Sequence, residues 1–397
     1  MSSLARCAGD VDRFLAEHWG RAPLHLPRLD ARRFSDLLTL DDVDHLVSSA
    51  FLRLPALRLV RDGTPLDPAS YTKTAKLGGR QVTGVVDPGR VFERFAEGAT
   101  LVLQGLHRYW PPLSRFCRQL ELELTHPVQV NAYITPPSAR GLAVHYDTHD
   151  VFVLQFAGTK QWSVHEPVLE DPLPSQPWSS ARGEPTEPIL TMPLDAGDSL
   201  YVPRGFLHAA LAQEGISAHL TVGVVVSTWA DVVRGAVKGI DDEVQFRRAL
   251  PVGFAHDPAS LAPVLAAHLE RLRAWLEKVD VGRVAEDAAR RFWSARPPLL
   301  AGQLRQLSLT DDVDDGSRVR RRAGAVCYLE LAADHLEVVL GDRELKMPPE
   351  LEPAIRRLVG ERPLEVRELA DLLDHQSRLV LVRRLVREGL LEILDLG

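Results

Sequence analysis

Only three cysteines occur in 397 residues, Cys7, Cys117 and Cys327, and they stand far apart with no CxxC spacing. That pattern argues against a disulfide framework and against a thiolate zinc site, and leaves buried or incidental thiols. No apolar run approaches the ~18–20 residues that span a bilayer. Internal repeats and low-complexity tracts are absent. Positive charge is in deficit, and the net charge of −7 argues against broad nucleic-acid binding through a basic surface. The opening stretch, Met1 to Ala22, lacks a continuous apolar segment and carries Asp10, Asp12, Arg13, Glu17 and Arg21. It reads as an amphipathic helix rather than a signal peptide, so a cytoplasmic location is the expectation. What remains is the composition of an ordinary globular protein, 45% apolar and 25% charged. The length suits two or three domains of ~100–200 residues.

Four stretches follow one another. Residues 1–100 mix helical patterns with short apolar runs. Val11, Phe14 and Leu15 share one helical face, Asp41-Asp42 suits the start of a helix over Thr39–Phe51, and Val91–Phe95 opens a helix leading to a strand, Thr100–Leu103. From about 100 to 228 short apolar or alternating runs recur: Pro127–Ile134, Val151–Phe156, Gln161–Val164, Pro188–Met192, Ser199–Val202 and Ala218–Val226. Pro and Gly turn signals separate them, which predicts a double-stranded β-helix. Trp229 to about Trp293 is helical, with Leu261, Val264, Leu265, Leu269, Leu272 and Trp275 forming one apolar stripe. Two readings of that stripe stand level, a self-association surface and packing on its own domain. The last stretch predicts strands at Ala325–Leu331 and Leu336–Leu340, then three helices and a strand at Leu390–Leu394, the order of a winged helix. The predicted architecture is therefore mixed α/β and multidomain: residues 1–228 as a cupin barrel with an N-terminal extension, 229–298 as a helical dimerisation region, and 299–397 as a winged-helix-like domain.

The segment Gly141-Leu-Ala-Val-His145-Tyr-Asp147-Thr-His-Asp150 carries the most chemistry. On an extended strand His145 and Asp147 point the same way, ~6.5 Å apart, so one divalent ion can take both. His208, after the Pro203-Arg-Gly205 turn, is the third candidate ligand. Two imidazoles and one carboxylate on one face of an octahedral ion leave three open positions, enough on Fe(II) for a bidentate 2-oxo acid and O₂. Zinc with the same donors would be hydrolytic, and ligand identity alone leaves both open. Singly, His145 also fits a core strand histidine and His208 a solvent-facing loop residue. Lys160, which follows the Ala157-Gly158-Thr159 turn, is placed to pair with a ligand carboxylate such as the distal one of 2-oxoglutarate, against the reading of an exposed hairpin lysine.

Taken together, Asn131-Ala-Tyr-Ile-Thr-Pro-Pro, His145-Tyr-Asp147, Asp150-Val-Phe-Val-Leu-Gln155, Gly158-Thr-Lys160-Gln-Trp162 and Gly197-Asp-Ser-Leu-Tyr-Val-Pro-Arg-Gly-Phe-Leu-His208 resemble the Jumonji-C-type ribosomal oxygenases. The opening Phe14-Leu-Ala-Glu-His-Trp-Gly-Arg-Ala-Pro-Leu and the domain order resemble that family too. The resemblance implies an Fe(II)- and 2-oxoglutarate-dependent dioxygenase that hydroxylates the β-carbon of an arginine or histidine of a ribosomal protein, releasing succinate and CO₂. It implies His145, Asp147 and His208 as iron ligands and Lys160 as the partner of the cosubstrate's 5-carboxylate. Asn131 and Tyr133 match positions lining the cosubstrate and substrate pocket. Gly223 departs from members with a small hydroxyl residue there, and Thr221 can supply a hydroxyl on the same face. His149 has three readings, a donor behind the metal, a substrate contact or a rim histidine.

Competing functions are N-methyl-lysine demethylation by the same chemistry, hydroxylation of a small molecule or peptide, and a non-catalytic cupin scaffold whose winged helix binds a partner. Retention of His145, Asp147, His208 and Lys160 together argues against the scaffold. Residues 350–397 hold eight arginines, no lysine and ten acidic residues. Direct DNA binding is therefore disfavoured relative to a protein-interaction role, despite Arg378, Arg383, Arg384 and Arg387. The run Arg318 to Arg322 follows the acidic Asp311–Asp315, and the two are expected to compensate each other. A protein substrate and a homodimer are the expected partners, with no membrane.

Overall fold

The computed structural model describes residues 2–397 except Leu29, Ser138, Arg140, Gly141 and Leu142. Met1 of the N-terminal reading and Gly141-Leu142 of the histidine segment thus lie outside the described residues. The chain divides into two units, Met1–Val226 and Ser227–Gly397.

In the first unit, helices α1 (Ser3–Ala8), α2 (Val11–Glu17), α3 (Leu40–Ser49), α4 (Pro88–Ala96) and α5 (Pro111–Leu124) accompany thirteen strands among the described residues. The strands are β1 (Leu24–Leu26), β2 (Leu57–Arg61), β3 (Thr64–Pro65), β4 (Thr72–Leu77), β5 (Arg80–Val86), β6 (Thr100–Leu103) and β7 (Val128–Thr135), then β8 (Asp150–Ala157), β9 (Thr159–Pro167), β10 (Leu190–Asp195), β11 (Ser199–Val202), β12 (Phe206–Ala212) and β13 (Ser217–Val224). Thr39 caps α3 through a reciprocal pair with Asp42, which satisfies free N–H groups at the helix start. An eight-stranded sheet runs in the order β1-β11-β8-β13-β7-β6-β2-β3, and a three-stranded sheet in the order β10-β9-β12.

Side-chain alternation assigns the two faces of the large sheet. On β7, Val128, Val130, Ala132 and Ile134 join a core with Phe14, Leu46, Leu113 and Leu120 of the helical layer. Their neighbours Gln129, Asn131 and Tyr133 face the other way and are half-buried. On that inner side Val151, Val153, Leu200 and Val202 pack with Trp162, Val164, Met192 and Leu194 of the small sheet. Two sheets closed over a shared apolar core, with helices outside, make a cupin-type barrel. Gly158 turns β8 into β9 with φ +61°, and a Cβ there would stand 2.1 Å from the Ile216 carbonyl oxygen. The β8–β9 hairpin that carries Lys160 therefore requires glycine at its turn.

The predicted strands at 100–103 and 199–202 stand as read, and the others shift by a few residues at their ends. One feature differs. His145 makes only an isolated bridge, to His208, and regular strand begins at Asp150. His208, just after the turn, lies within β12 and is buried, which removes the alternative of a solvent-facing loop residue. Among the described residues no helix is long and apolar enough to cross a membrane.

The second unit contains α6 (Trp229–Val237), α7 (Pro258–Leu276), α8 (Val281–Ser294) and α9 (Gln303–Leu309), then β14 (Arg318–Arg321), β15 (Tyr328–Leu331), β16 (Leu336–Val339), β17 (Glu344–Met347), α10 (Glu352–Leu358), β18 (Leu364–Glu365), α11 (His375–Arg387) and β19 (Leu391–Asp395). Its core gathers Val319, Leu336, Ile355, Leu385 and Ile393 among others. The middle of the three helices expected after Pro349 is only a single 3₁₀ turn, Val366–Leu369. The arginine and aspartate runs are compensated, but not by each other. Arg318 and Arg320 pair with Asp395 and Glu392 of β19, while Asp311 and Asp315 take Arg387 and Arg378 of α11. The reason is that β14 pairs with β19, which places their alternate side chains opposite one another.

Candidate metal centre

Backbone hydrogen bonds bring the three candidate ligands together. The His145 amide donates to the His208 carbonyl at 3.2 Å, and the His208 amide returns the bond at 2.8 Å. Gly205 N–H donates to the Asp147 carbonyl at 3.1 Å, tying the turn before β12 to the same loop. One donor atom from each of His145, Asp147 and His208 then lies within 4.8 Å of the others. His208 Nε2 stands 3.8 Å from Asp147 Oδ2. Each imidazole has its other nitrogen engaged: His145 Nδ1 with the Ala143 carbonyl at 2.7 Å, His208 Nδ1 with the Phe206 carbonyl at 3.1 Å. A carbonyl accepts only from a protonated Nδ1, so both Nε2 lone pairs are left for an ion. Burial, with His145 alongside, holds His208 well below the usual imidazole range, so it is in the neutral form that ligates.

Asp150 anchors this loop. Its carboxylate is 1% exposed, accepts from the Tyr201 hydroxyl, and accepts the Arg204 amide at 3.1 Å. Burial raises its pKa and those two donors oppose the rise. Asp150→Ala is expected to destabilise the fold by about 2–4 kcal/mol, since two buried donors lose their acceptor. It should also weaken metal binding about tenfold by loosening the Asp147 loop. Thermal unfolding and a metal titration check the two effects, and an unchanged metal affinity in the folded variant would refute the anchoring role.

The ligands open on a cavity of about 290 Å³. Lys160 lies in its wall, 2% exposed, and its ammonium donates to Thr135 Oγ1 at 3.1 Å. No carboxylate pairs with it among the described residues, and burial lowers its pKa from 10.5 to about 8. His219 stacks on Tyr133 with ring centroids 5.2 Å apart, and burial together with Lys160 keeps His219 neutral. Trp162 Nε1, His219 Nδ1 and Arg58 Nε have no hydrogen-bond partner among the described residues. All three residues line the cavity. An inner wall with unmatched polar atoms and one unpaired buried cation fits a metal together with an anionic, polar guest.

The other expected residues divide. Tyr133 and Thr221 line this cavity. Asn131 lines a neighbouring one, where its Oδ1 accepts the Gly105 amide at 2.9 Å. His149 is half-buried, and a Cβ on Gly223 would fall 3.0 Å from its ring. The missing side chain at 223 is thus the space His149 occupies. Arg58, from β2, was not legible in the sequence; a lone arginine in a short strand carries no motif.

Residues 106–232 match the JmjC domain family. Over 324 residues the chain is 30% identical to ribosomal oxygenase 1 of Rattus norvegicus, covering 75% of this chain and 52% of the relative. To ribosomal oxygenase 1 of Homo sapiens it is 29% identical over 374 residues, 88% of this chain and 54% of the relative. A bifunctional lysine-specific demethylase and histidyl-hydroxylase of Dictyostelium discoideum is 25% identical over 390 residues, 92% of this chain and 73% of that protein. The chain spans about half the length of the two ribosomal oxygenases. Among solved structures, the YcfD ribosomal oxygenase of Escherichia coli, in complex with cobalt and 2-oxoglutarate, aligns with 97% of this chain and 98% of its own. Its TM-score is 0.56 at 19% identity, a likeness of fold. The JmjC domain match begins just before α5 and ends in α6, so it encloses the three candidate ligands, Lys160 and the inner face of β7.

Proposed function

We propose that this protein is an Fe(II)- and 2-oxoglutarate-dependent oxygenase that hydroxylates a protein side chain. The observation that carries the reading is Lys160, a buried ammonium without a carboxylate partner in the cavity onto which His145, Asp147 and His208 converge. A 2-oxo diacid brings the anion that such a buried ammonium needs. Iron and 2-oxoglutarate would supply, when bound and with O₂ as the oxidant, a reaction that yields succinate and CO₂ and converts a C–H bond to C–OH.

The chain's own residues do the rest. His145, Asp147 and His208 would hold the metal, and Lys160, steadied by Thr135, would hold the distal carboxylate of the cosubstrate. Thr221 and Tyr133 present hydroxyls to the cavity, and burial keeps the Tyr133 phenol protonated. Val151, Val153, Val202 and Trp162 exclude water from the reacting face. Asn131 lies outside this cavity, where its Oδ1 holds the Gly105 amide. Succinate release from 2-oxoglutarate with Fe(II), and a gain of one oxygen on bacterial ribosomal proteins read by mass spectrometry, test the proposal; absence of metal-dependent succinate release would sink it.

A ribosomal protein is the proposed substrate, supported by the relatives' names, with lysine demethylation as the alternative the Dictyostelium relative's name raises. The three domains 1–228, 229–298 and 299–397 remain our division, supported by the break at Val226 and by the helix-rich composition of 229–298. In the last of them α10, α11 and the β18-β14-β19 sheet support a winged helix. Pairing of Arg378, Arg384 and Arg387 with acidic residues supports a role other than DNA binding. Unpaired thiols support a cytoplasmic setting. A homodimer through the helical region is supported by α7, none of whose residues is buried, with Leu265 and Leu269 51% and 54% exposed. Leu265→Glu with Leu269→Glu is expected to halve the mass in sedimentation equilibrium, and a wild-type monomer would remove the dimer.

A further inference from the structure

We propose that Arg58 selects the charge of the substrate side chain, admitting a neutral one and turning away a cation such as arginine or N-methyl-lysine. The inference rests on the function proposed above and narrows its substrate. Arg58 on β2 pairs with Val102 on β6, and Val102 pairs with Tyr133 on β7. Two strand spacings of ~4.8 Å separate Arg58 from Tyr133, a gap that a long side chain can cross. The Arg58 side chain reaches the cavity that Tyr133 also lines. His145, Asp147 and His208 line that same cavity, so Arg58 shares it with the candidate metal ligands. It is half-buried, its Nε lacks a partner, and no carboxylate pairs with it among the described residues.

Every other charge in the cavity has a use. His145, Asp147 and His208 go to the metal, Lys160 to the cosubstrate, and His219 is neutral. A divalent metal, a doubly negative cosubstrate, one aspartate and one lysine sum to zero. Arg58 then leaves the loaded site with one positive charge, since a guanidinium stays protonated. A neutral imidazole or amide enters without opposition. A second guanidinium or a methylated ammonium meets an unscreened like charge inside a poorly solvated cavity, a penalty of about tenfold or more in affinity. A site built for a cation would carry a carboxylate where this one carries Arg58.

The test uses the full chain loaded with Mn(II) and the inert cosubstrate analogue N-oxalylglycine. Three fluorescent, end-blocked peptide libraries have a central histidine, arginine or N,N-dimethyl-lysine in randomised uncharged flanks. Fluorescence anisotropy is expected to show about tenfold tighter binding of the histidine library than of either cationic one. In Arg58→Gln the ratio should fall to within about twofold, and in Arg58→Lys it should persist. Equal binding of the three libraries, including no binding of any, overturns the proposal. Tighter binding of a cationic library, or a ratio unchanged in Arg58→Gln, overturns it as well. Peptide-free succinate release by the wild-type enzyme reports separately on the functional reading, so its failure is distinguishable from a failure of charge selection.

Discussion

Asp147→Ala is expected to lower metal-dependent turnover of 2-oxoglutarate by about two orders of magnitude or more while leaving the fold intact. Two imidazoles remain, both still aimed by their Nδ1 bonds to backbone carbonyls. They no longer close a facial set, and the ion loses the anionic donor that offsets its charge. The fold should tolerate the change because the Asp147 side chain is 31% exposed and, among the described residues, its carboxylate approaches only the neutral His208. The loop is held by backbone bonds and by Asp150, none of which uses the Asp147 carboxylate. The thermal midpoint of the metal-free variant should therefore stay within about 2 °C of wild type. Succinate release at the wild-type rate would remove Asp147 from the ligand set; a collapsed fold would show that its carboxylate carries structure as well.

The second large effect is expected at Lys160. Lys160→Met should raise the KM for 2-oxoglutarate about a hundredfold, through loss of a charge-assisted bond in a poorly solvated pocket. The same substitution should stabilise the ligand-free protein, because it removes a buried cation that, among the described residues, only Thr135 compensates. The direction with pH follows from the lowered pKa. Folded Lys160 titrates at about 8 against 10.5 in the unfolded chain, so the penalty is full below pH 8 and fades as pH rises toward 10.5. Relative to Lys160→Met, wild-type stability should climb by roughly 3 kcal/mol across that window. Over the same range the wild-type KM for 2-oxoglutarate should rise, as the ammonium loses its proton. Denaturant unfolding of both proteins at pH 7.5 and 10 would check the first, and steady-state kinetics the second. A Lys160→Met protein with unaltered KM would end the assignment.

These two effects pull against each other, and that opposition is informative. A chain selected for stability alone would bury methionine or leucine at 160. The unpaired ammonium, the unmatched indole N–H of Trp162 and the uncommitted Arg58 are all disadvantages in an empty barrel. They become assets when anionic and polar guests arrive, which is how a binding site differs from a core.

Local sequence determined much of this protein. The alternating pattern of β7, the apolar run of β8 and the turn at Gly158 are short-range signals, since a strand repeats every two residues and a tight turn needs its glycine. The ligand types and the lysine after the turn were legible for the same reason. Tertiary structure decided which residues meet. His208 proved to lie inside β12 because its strand pairs with β9, and Arg318 and Arg320 found partners on β19, not in the adjacent acidic run. Arg58 became a cavity residue through the β2–β6–β7 register, which no stretch of sequence around it announces. Register is set by pairing between distant segments, and a shift of one residue would send each of these side chains to the opposite face. Spacing within one strand specified the donors; pairing between strands decided which charges they share a cavity with.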